Sequence, residues 1–301
     1  MKPFQADLLM LLVTIGWGSS YLFMKIGIDS LGEFNVIALR FGLAFVLAAG
    51  LFFRRFRKID CLTLKYAAIL GVILFIVFVL ITYGLNTTTT SNAGFLVSLT
   101  VVFVPLITAF VLRKKVELKT ALSVILAITG IGFLTIQLPL VFNRGDLFCM
   151  GAALFYAVHI IVVSSAAKKV DPLNLGIAQL GFTGLYGLIF SFIFEVPAWP
   201  STTISWLAIL ALSIFCSAIG FILQIIAQKY TSPTRTGLMF SLEPVFAALF
   251  GYVFAQEILH GKGYIGAALI LLSVVLSSSQ RKSSQSKQRS DIRNSGRNLS
   301  Q

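Results

Sequence analysis

The chain has 301 residues, 57% hydrophobic and only 12% charged, with a formal net charge of +13 and a mean hydropathy of +0.91. Most of its length has no polar face to show water, so an ordinary soluble domain is excluded and the bilayer is its solvent. The three cysteines, Cys61, Cys149 and Cys216, are odd in number and scattered, which excludes a disulfide framework and matches no metal-ligand spacing.

Hydropathy predicts the spans in chain order, with boundaries soft by about two to four residues. The first runs over 6–27; Lys2 precedes it, but there is no small-residue cleavage site and Asp7 comes early, so it reads as a retained helix rather than a cleaved leader. The second covers 36–53. Residues 66–112 contain no Asp, Glu, Lys or Arg, enough for two helices of roughly 20 residues, at 66–84 and 93–112, joined by a polar turn at 86–92. The remaining spans are expected at 120–140, 147–166, 174–194, 206–227, 236–255 and 263–279. The apolar runs are continuous, without alternation of period two, which favours helices over a barrel. Residues 277–301 are rich in Ser, Gln, Asn, Arg and Lys and read as a disordered tail.

Charge placement tests the count independently. With both termini inside, Lys2, Arg54, Arg55, Arg57, Lys58, Lys65, Arg113, Lys114, Lys115, Lys119, Lys168, Lys169, Lys229, Arg235 and the six basic residues of the tail all fall on the cytoplasmic side. Only Lys25, Arg144 and Lys262 fall outside, and Arg40 lies within a helix. Losing one helix would swap the side of every later loop, so ten spans with both ends cytoplasmic is the consistent reading. The positive charge then reflects retention on the inner side of a cell membrane, where anionic lipid attracts it, and calls for no nucleic-acid partner.

The sequence repeats itself. Residues 94–103 (GFLVSLTVVF) return 143 residues later as 237–246 (GLMFSLEPVF). At an offset of 139, Asp7 matches Asp146, Trp17 matches Tyr156, Asn35 matches Asn174, Arg40 matches Gln179 and Gly42 matches Gly181. Five spans per copy is an odd number, so the second copy enters the membrane upside down. The expected fold is an all-α membrane protein of ten transmembrane helices in two inverted five-helix repeats, at 1–140 and 141–279, followed by a cytoplasmic tail at 280–301.

Gly16-Trp17-Gly18-Ser19-Ser20-Tyr21, Arg40, Asn92-Ala93-Gly94-Phe95-Leu96, the stretch from Val101 to Pro105, and Ser241-Leu242-Glu243-Pro244-Val245-Phe246 together resemble the EamA-type branch of the drug/metabolite transporter superfamily. The likeness runs from about residue 6 to residue 279. It implies a ten-helix secondary transporter with a central cavity, moving small metabolites such as amino acids, or amphipathic drugs, across the cytoplasmic membrane, often outward. The chain departs from the family at the end of the fourth span, Arg113-Lys114-Lys115, where the ninth reads Ala255-Gln256-Glu257, closer to the family's Gly-Glu-Arg.

Inverted repeats place a substrate at midplane, so polar residues at helix depth are the candidates. Glu243 lies about eight residues into the ninth span, where a carboxylate costs at least a few kcal/mol. It must face the interior or carry a proton, as a substrate or proton site, unless it serves only to bond backbone loosened by Pro244 or to pair with Arg40. Its repeat partner is Thr100, so the scaffold does not demand the charge. Arg40, flanked by Ala38 and Gly42, is expected inside the bundle, with Gln179 as its counterpart; the alternative is a snorkelling surface arginine. Trp17, Tyr21 and Lys25 recur at intervals of four and form one stripe, a cavity wall or a packing face. Tyr156 and His159 offer the matching face of the sixth span, and Gln224 with Gln228 forms an uncharged pair suited to bonds between helices. Pro105 and Pro244 are expected to kink their helices at different depths.

No ATP-binding motif, metal cluster or catalytic Ser, His and Asp order stands out, so neither enzyme nor cofactor is expected, with Glu243 and His159 the one thin acid/base pair. The expected partners are a small-molecule substrate, membrane lipid, and protons as a coupling ion. A passive facilitator, or a subunit without transport activity, is the alternative.

Overall fold

A computed structural model describes residues 1, 3–112, 117–135, 143–255 and 261–276. The basic Arg113-Lys114-Lys115, the end of the expected fifth span, Gln256, Glu257, His260 and the expected tail lie outside them. Among the described residues every regular element is a helix.

The first rod, α1, is Pro3–Gly18 continued by Ser20–Ile28; α2 is Glu33–Leu51, and α3 is Cys61–Leu85. Next come α4, made of Thr90–Ser98 and Thr100–Leu112, then α5, Leu118–Phe133, and α6, Arg144–Ala166. After these, α7 is Pro172–Phe194 and α8 is Thr203–Gln228. Finally, α9 is Pro233–Phe240, α10 is Glu243–Ala255, and α11 is Gly261–Leu276. Among the described residues seven helices, α1 to α4 and α6 to α8, are long and apolar enough to cross a bilayer, while α5 and α11 are shorter. Large apolar side chains such as Phe110, Phe192 and Leu51 stay exposed on the outside, as a hydrocarbon solvent permits.

Several helices start earlier than hydropathy places them, because polar caps precede the apolar stretch. The Asp60 side chain accepts from the Thr63 amide at the head of α3. Asn143 and Asp146 form a reciprocal capping box on α6, and Asp171 and Ser232 cap α7 and α9 just ahead of Pro172 and Pro233. A capping side chain contributes about 1 kcal/mol, and proline at the first helical position gives up an amide that had no partner in any case.

The expected ninth helix is not continuous. It turns at Ser241 and Leu242, so Glu243 opens α10 instead of lying deep within a helix. The matched α4 turns at Leu99, the repeat equivalent of Leu242. Since Pro105 and Pro244 are not aligned, the shared break belongs to the duplicated Ser-Leu pair. Ser98 Oγ donates to the Gly94 carbonyl at 2.6 Å and Ser241 Oγ to the Leu238 carbonyl at 2.6 Å. Such serine back-bonding competes with the helical amides and bends a helix. Pro244 falls in the first turn of α10, where it is tolerated.

The repeat-related helices α2 and α7 lie side by side and run antiparallel. At one end Asn35, near the start of α2, donates its side-chain amide to the Ala198 carbonyl just past α7, at 2.7 Å. At the other, Asn174, near the start of α7, donates to the Arg55 carbonyl just past α2, at 3.5 Å. Small residues let the backbones touch between these ends. A Cβ on Gly184 would meet the Gly42 amide at 2.6 Å, and one on Gly187 the Ala38 amide at 2.7 Å. Close contact of this kind replaces the hydrophobic driving force that lipid does not supply.

Candidate functional site

Where the repeats meet, a cavity of about 30 Å3 is lined by Trp17, Tyr21, Arg40, Tyr156 and Glu243. A water needs ~10–15 Å3 of such space, so the cavity has room for about two and none for a metabolite. Five of the nine expected residues thus come together. The other four are engaged elsewhere. Lys25 Nζ donates to the Leu85 carbonyl at 2.8 Å, and Thr100 Oγ1 to the carbonyls of Val97 and Ala153. His159 Nε2 and Gln179 Oε1 bond each other at 3.2 Å. His159 therefore stands apart from Glu243, and the thin acid/base pair considered above does not line one cavity.

Arg40 is 1% exposed and sits between two anchors. Its Nε donates to Ser217 Oγ at 2.7 Å, and its guanidinium lies 4.4 Å from the Phe78 ring centroid. A desolvated cation–π contact of this kind contributes about 2 kcal/mol. This excludes the snorkelling alternative. Glu243 lies by Tyr21, and no ion pair links it to Arg40, so opposite charges line the same cavity unmatched to each other.

Trp17 is the centre of the aromatic wall. Its ring lies 4.9 Å from Phe221 and 5.0 Å from Phe240, and its Nε1 donates to the Cys216 carbonyl at 2.7 Å. That carbonyl belongs to a stretch of α8, Leu212–Ile219, that widens into a π-helix. A π turn shifts the register of the backbone bonds and is frequent at functional sites. The same segment supplies Ser217 to Arg40. On the facing repeat, the Tyr156 and Phe240 rings stack 5.9 Å apart.

Sequence reasoning missed Ser20, Met24, Phe78 and Phe221. For the first two the signal was present. A helix turns about 100° per residue, so seven residues after Trp17 return to within about 20° of it while eight overshoot by about 80°. The stripe is therefore Trp17, Ser20, Tyr21 and Met24, and Lys25 falls outside it. Phe78 and Phe221 sit in wholly apolar helices, where no period marks an inner face. The glutamines act between helices, Gln224 bonding Gln228, which donates to the Ile160 carbonyl and to Ser164 on α6.

The EamA-like transporter family matches residues 4–136 and 143–279, one match per repeat. A protein of Archaeoglobus fulgidus described as an uncharacterized transporter is 32% identical over 276 residues, covering 92% of this chain and 86% of its own. The uncharacterized transporter YetK of Bacillus subtilis is 27% identical, covering 88% of this chain and 84% of its own. A solved crystal structure at 18% identity has the same fold, with a TM-score of 0.78 over 93% of this chain and 98% of that one. Two family matches that together span nearly all the described helices, and a relative above 30% identity along most of its length, make this chain a multi-pass membrane protein of the EamA-like transporter family.

Proposed function

We propose that the chain is a secondary transporter whose two halves, five spans each, rock about the cavity between Trp17, Arg40 and Glu243. Residues 1–140 and 141–279 form the halves, residues 280–301 form a cytoplasmic tail, and both termini face the cytoplasm of a cell membrane. The antiparallel α2–α7 pair, with its twin asparagine bonds, supports the inverted arrangement. The helical rods, including the split α9–α10 and the shorter α5 and α11, leave room for ten passes, and the charge distribution favours that number.

The observation that carries the reading is the pair of unmatched charges in one aromatic cavity. Holding a cation and a carboxylate in one interior cavity without an ion pair between them costs free energy, a cost tolerated where a ligand pairs with each. A solute with a carboxylate for Arg40, an ammonium for Glu243 and an apolar body for the aromatic wall fits, which describes an amino acid or a similar zwitterion. Export is the direction we propose, from family likeness, with protons exchanged at Glu243. In this structure the cavity is too small for any such solute, so binding requires it to widen, as a carrier's cycle does and a permanently open channel does not. A transport role also leaves no task for catalysis, and we read the chain as no enzyme.

Purified protein in liposomes, offered a panel of labelled amino acids with and without a pH gradient, tests this. Uptake that saturates, shows counterflow and loses its pH dependence in E243Q is the expected result. Uptake by E243Q with unchanged rate and pH dependence rules out proton exchange at Glu243, and flux without counterflow replaces the carrier by a facilitator.

A further inference from the structure

Asp7 and Asp146 occupy matched places in the two repeats, and each reaches across to the other repeat. Asp7 takes two bonds from Arg235, Nε to Oδ1 and one terminal nitrogen to Oδ2, both at 2.7 Å. This ties the start of α1 to the start of α9. Asp146 Oδ1 accepts from Thr88 Oγ1 at 2.6 Å, and Asn143 Nδ2 donates to the Thr87 carbonyl at 2.9 Å. These tie the start of α6 to the start of α4. In each case the first helix of one repeat holds the fourth of the other.

The two ties lie at opposite ends of the bundle. Lys25, late in α1, bonds the Leu85 carbonyl at the end of α3, and Gly84 beside it packs against Gly145 and Cys149 at the start of α6. The end of α1 therefore lies near the start of α6, which puts Asp7 and Asp146 far apart. Both ties are also equally remote from the cavity. At 1.5 Å per residue, Asp7 is about 15 Å along α1 from Trp17, and Asp146 about 15 Å along α6 from Tyr156. Trp17 and Tyr156 both line the cavity.

At the level of the cavity itself the helices cross closely and break. A Cβ on Gly18 would meet the Ala247 amide at 2.8 Å, so α1 and α10 touch backbone to backbone there. Beside it, α1 turns at Ser19 and α9 ends at Phe240.

We infer that the two ties are the closures of the two mouths of the pathway, released in alternation, and that Asp7–Arg235 is the stronger of the pair. The inference rests on the alternating-access reading above. One closure is a bidentate charge pair of partly buried side chains, the other a hydroxyl on a carboxylate and an amide on a carbonyl. In the first tie both partners are charged and two parallel bonds join them, whereas in the second only the Asp146 carboxylate is charged and the Asn143 bond is neutral, so the first is the stronger. The chain therefore rests more firmly shut at the Asp7 mouth. Both ties are made in the same structure in which the cavity has room for about two waters.

Spin-label pairs in the full chain, reconstituted without substrate, test this by distance. One pair at positions 4 and 230 spans the Asp7 mouth; another at 86 and 147 spans the opposite one. In D7N the population of long distances at 4/230 should rise about tenfold, equivalent to ~1.4 kcal/mol, and R235Q should match it. The reversed pair D7R/R235D should restore the original distribution, and T88V should raise the long-distance population at 86/147 by about threefold. Unchanged distances at 4/230 in both D7N and R235Q, alongside intact uptake, sink the closures and leave the transport reading standing. Shifted distances in a chain that moves no solute keep the closures and sink that reading instead.

Discussion

At the ends of the α2–α7 pair duplication kept its chemistry, and in the middle it did not. Asn35 and Asn174 make the same bond to the backbone just beyond the partner helix. Five residues further along, Arg40 and Gln179 hold matched places but different partners. Arg40 faces the cavity, while Gln179 turns to His159. Thr100 and Glu243 part in the same way. Thr100 spends its hydroxyl on two carbonyls, and Glu243 lines the cavity. A residue kept in both copies serves a contact that the twofold arrangement needs twice. A charge with a neutral twin is one that the scaffold folds without, and its cost points to work on a ligand.

The comparison breaks most directly if the middle is made symmetric. R40Q and E243T give each charge the residue its own twin carries, so both variants should fold while losing about tenfold to a hundredfold in uptake, the range expected when a charged hydrogen-bonding partner of ~1.5–3 kcal/mol is removed. R40K should not rescue R40Q, since lysine lacks both the fork that reaches Ser217 and the plane that stacks on Phe78. Wild-type uptake by either neutral variant, in protein with an unchanged elution profile, removes the argument that asymmetry marks function.

The ends sharpen the comparison from the other side. N35A and N174A should each destabilise the protein by ~0.5–1.5 kcal/mol, the net contribution of one side-chain hydrogen bond. Equal losses, read from thermal unfolding in detergent, express the twofold relation; a large loss in one and none in the other contradicts it. T100V should cost ~1 kcal/mol and leave the substrate profile unchanged, because its hydroxyl serves only backbone.

Much of the architecture was legible in the sequence because the bilayer allows so few solutions. Continuous apolar runs mean helices, the basic loops orient them, and the offset linking Asn35 to Asn174 already implies a contact made twice. The break in the ninth rod was not legible. Pro244 drew attention, whereas the bend follows the Ser-Leu pair that α4 shares. Nor could the π segment of α8 be read, since Leu212–Ile219 is as apolar as its surroundings, although it is the segment that bonds Trp17 and Arg40. Residues whose chemistry is polar announced themselves, but whether they faced the cavity depended on neighbours in space. His159 and Gln179 found each other, and Lys25 found a carbonyl.

The smallest effect examines how far the twin ends of α2 and α7 match. Each end holds a carboxylate on the first amides of a helix, Asp171 on Asn174 and Glu195 on Phe34 and Asn35. Partial burial works against the charge of Asp171, but the Asn174 amide and the Arg55 guanidinium outweigh it and hold the carboxyl below the usual range. At Glu195 burial prevails over the two amides, with Glu33 adding to it, and the carboxyl is raised. Folded Asp171 thus binds its proton less tightly than the unfolded chain does. Its contribution to stability is present above the unfolded value of ~3.9 and is lost as pH falls through the folded one. Glu195 behaves oppositely, its protonated form being favoured by folding, a gain complete below ~4.3 and lost as pH rises through the folded value. Carboxyl-carbon NMR should place the Asp171 midpoint below that of a free aspartate and the Glu195 midpoint above that of a free glutamate. The stability gap between wild type and D171N should be small at neutral pH, ~0.2–1 kcal/mol for so exposed a pair, and should close on acidification below about pH 4. An Asp171 midpoint raised like that of Glu195 would mean that burial governs both ends alike, leaving the Arg55 pairing without influence on Asp171.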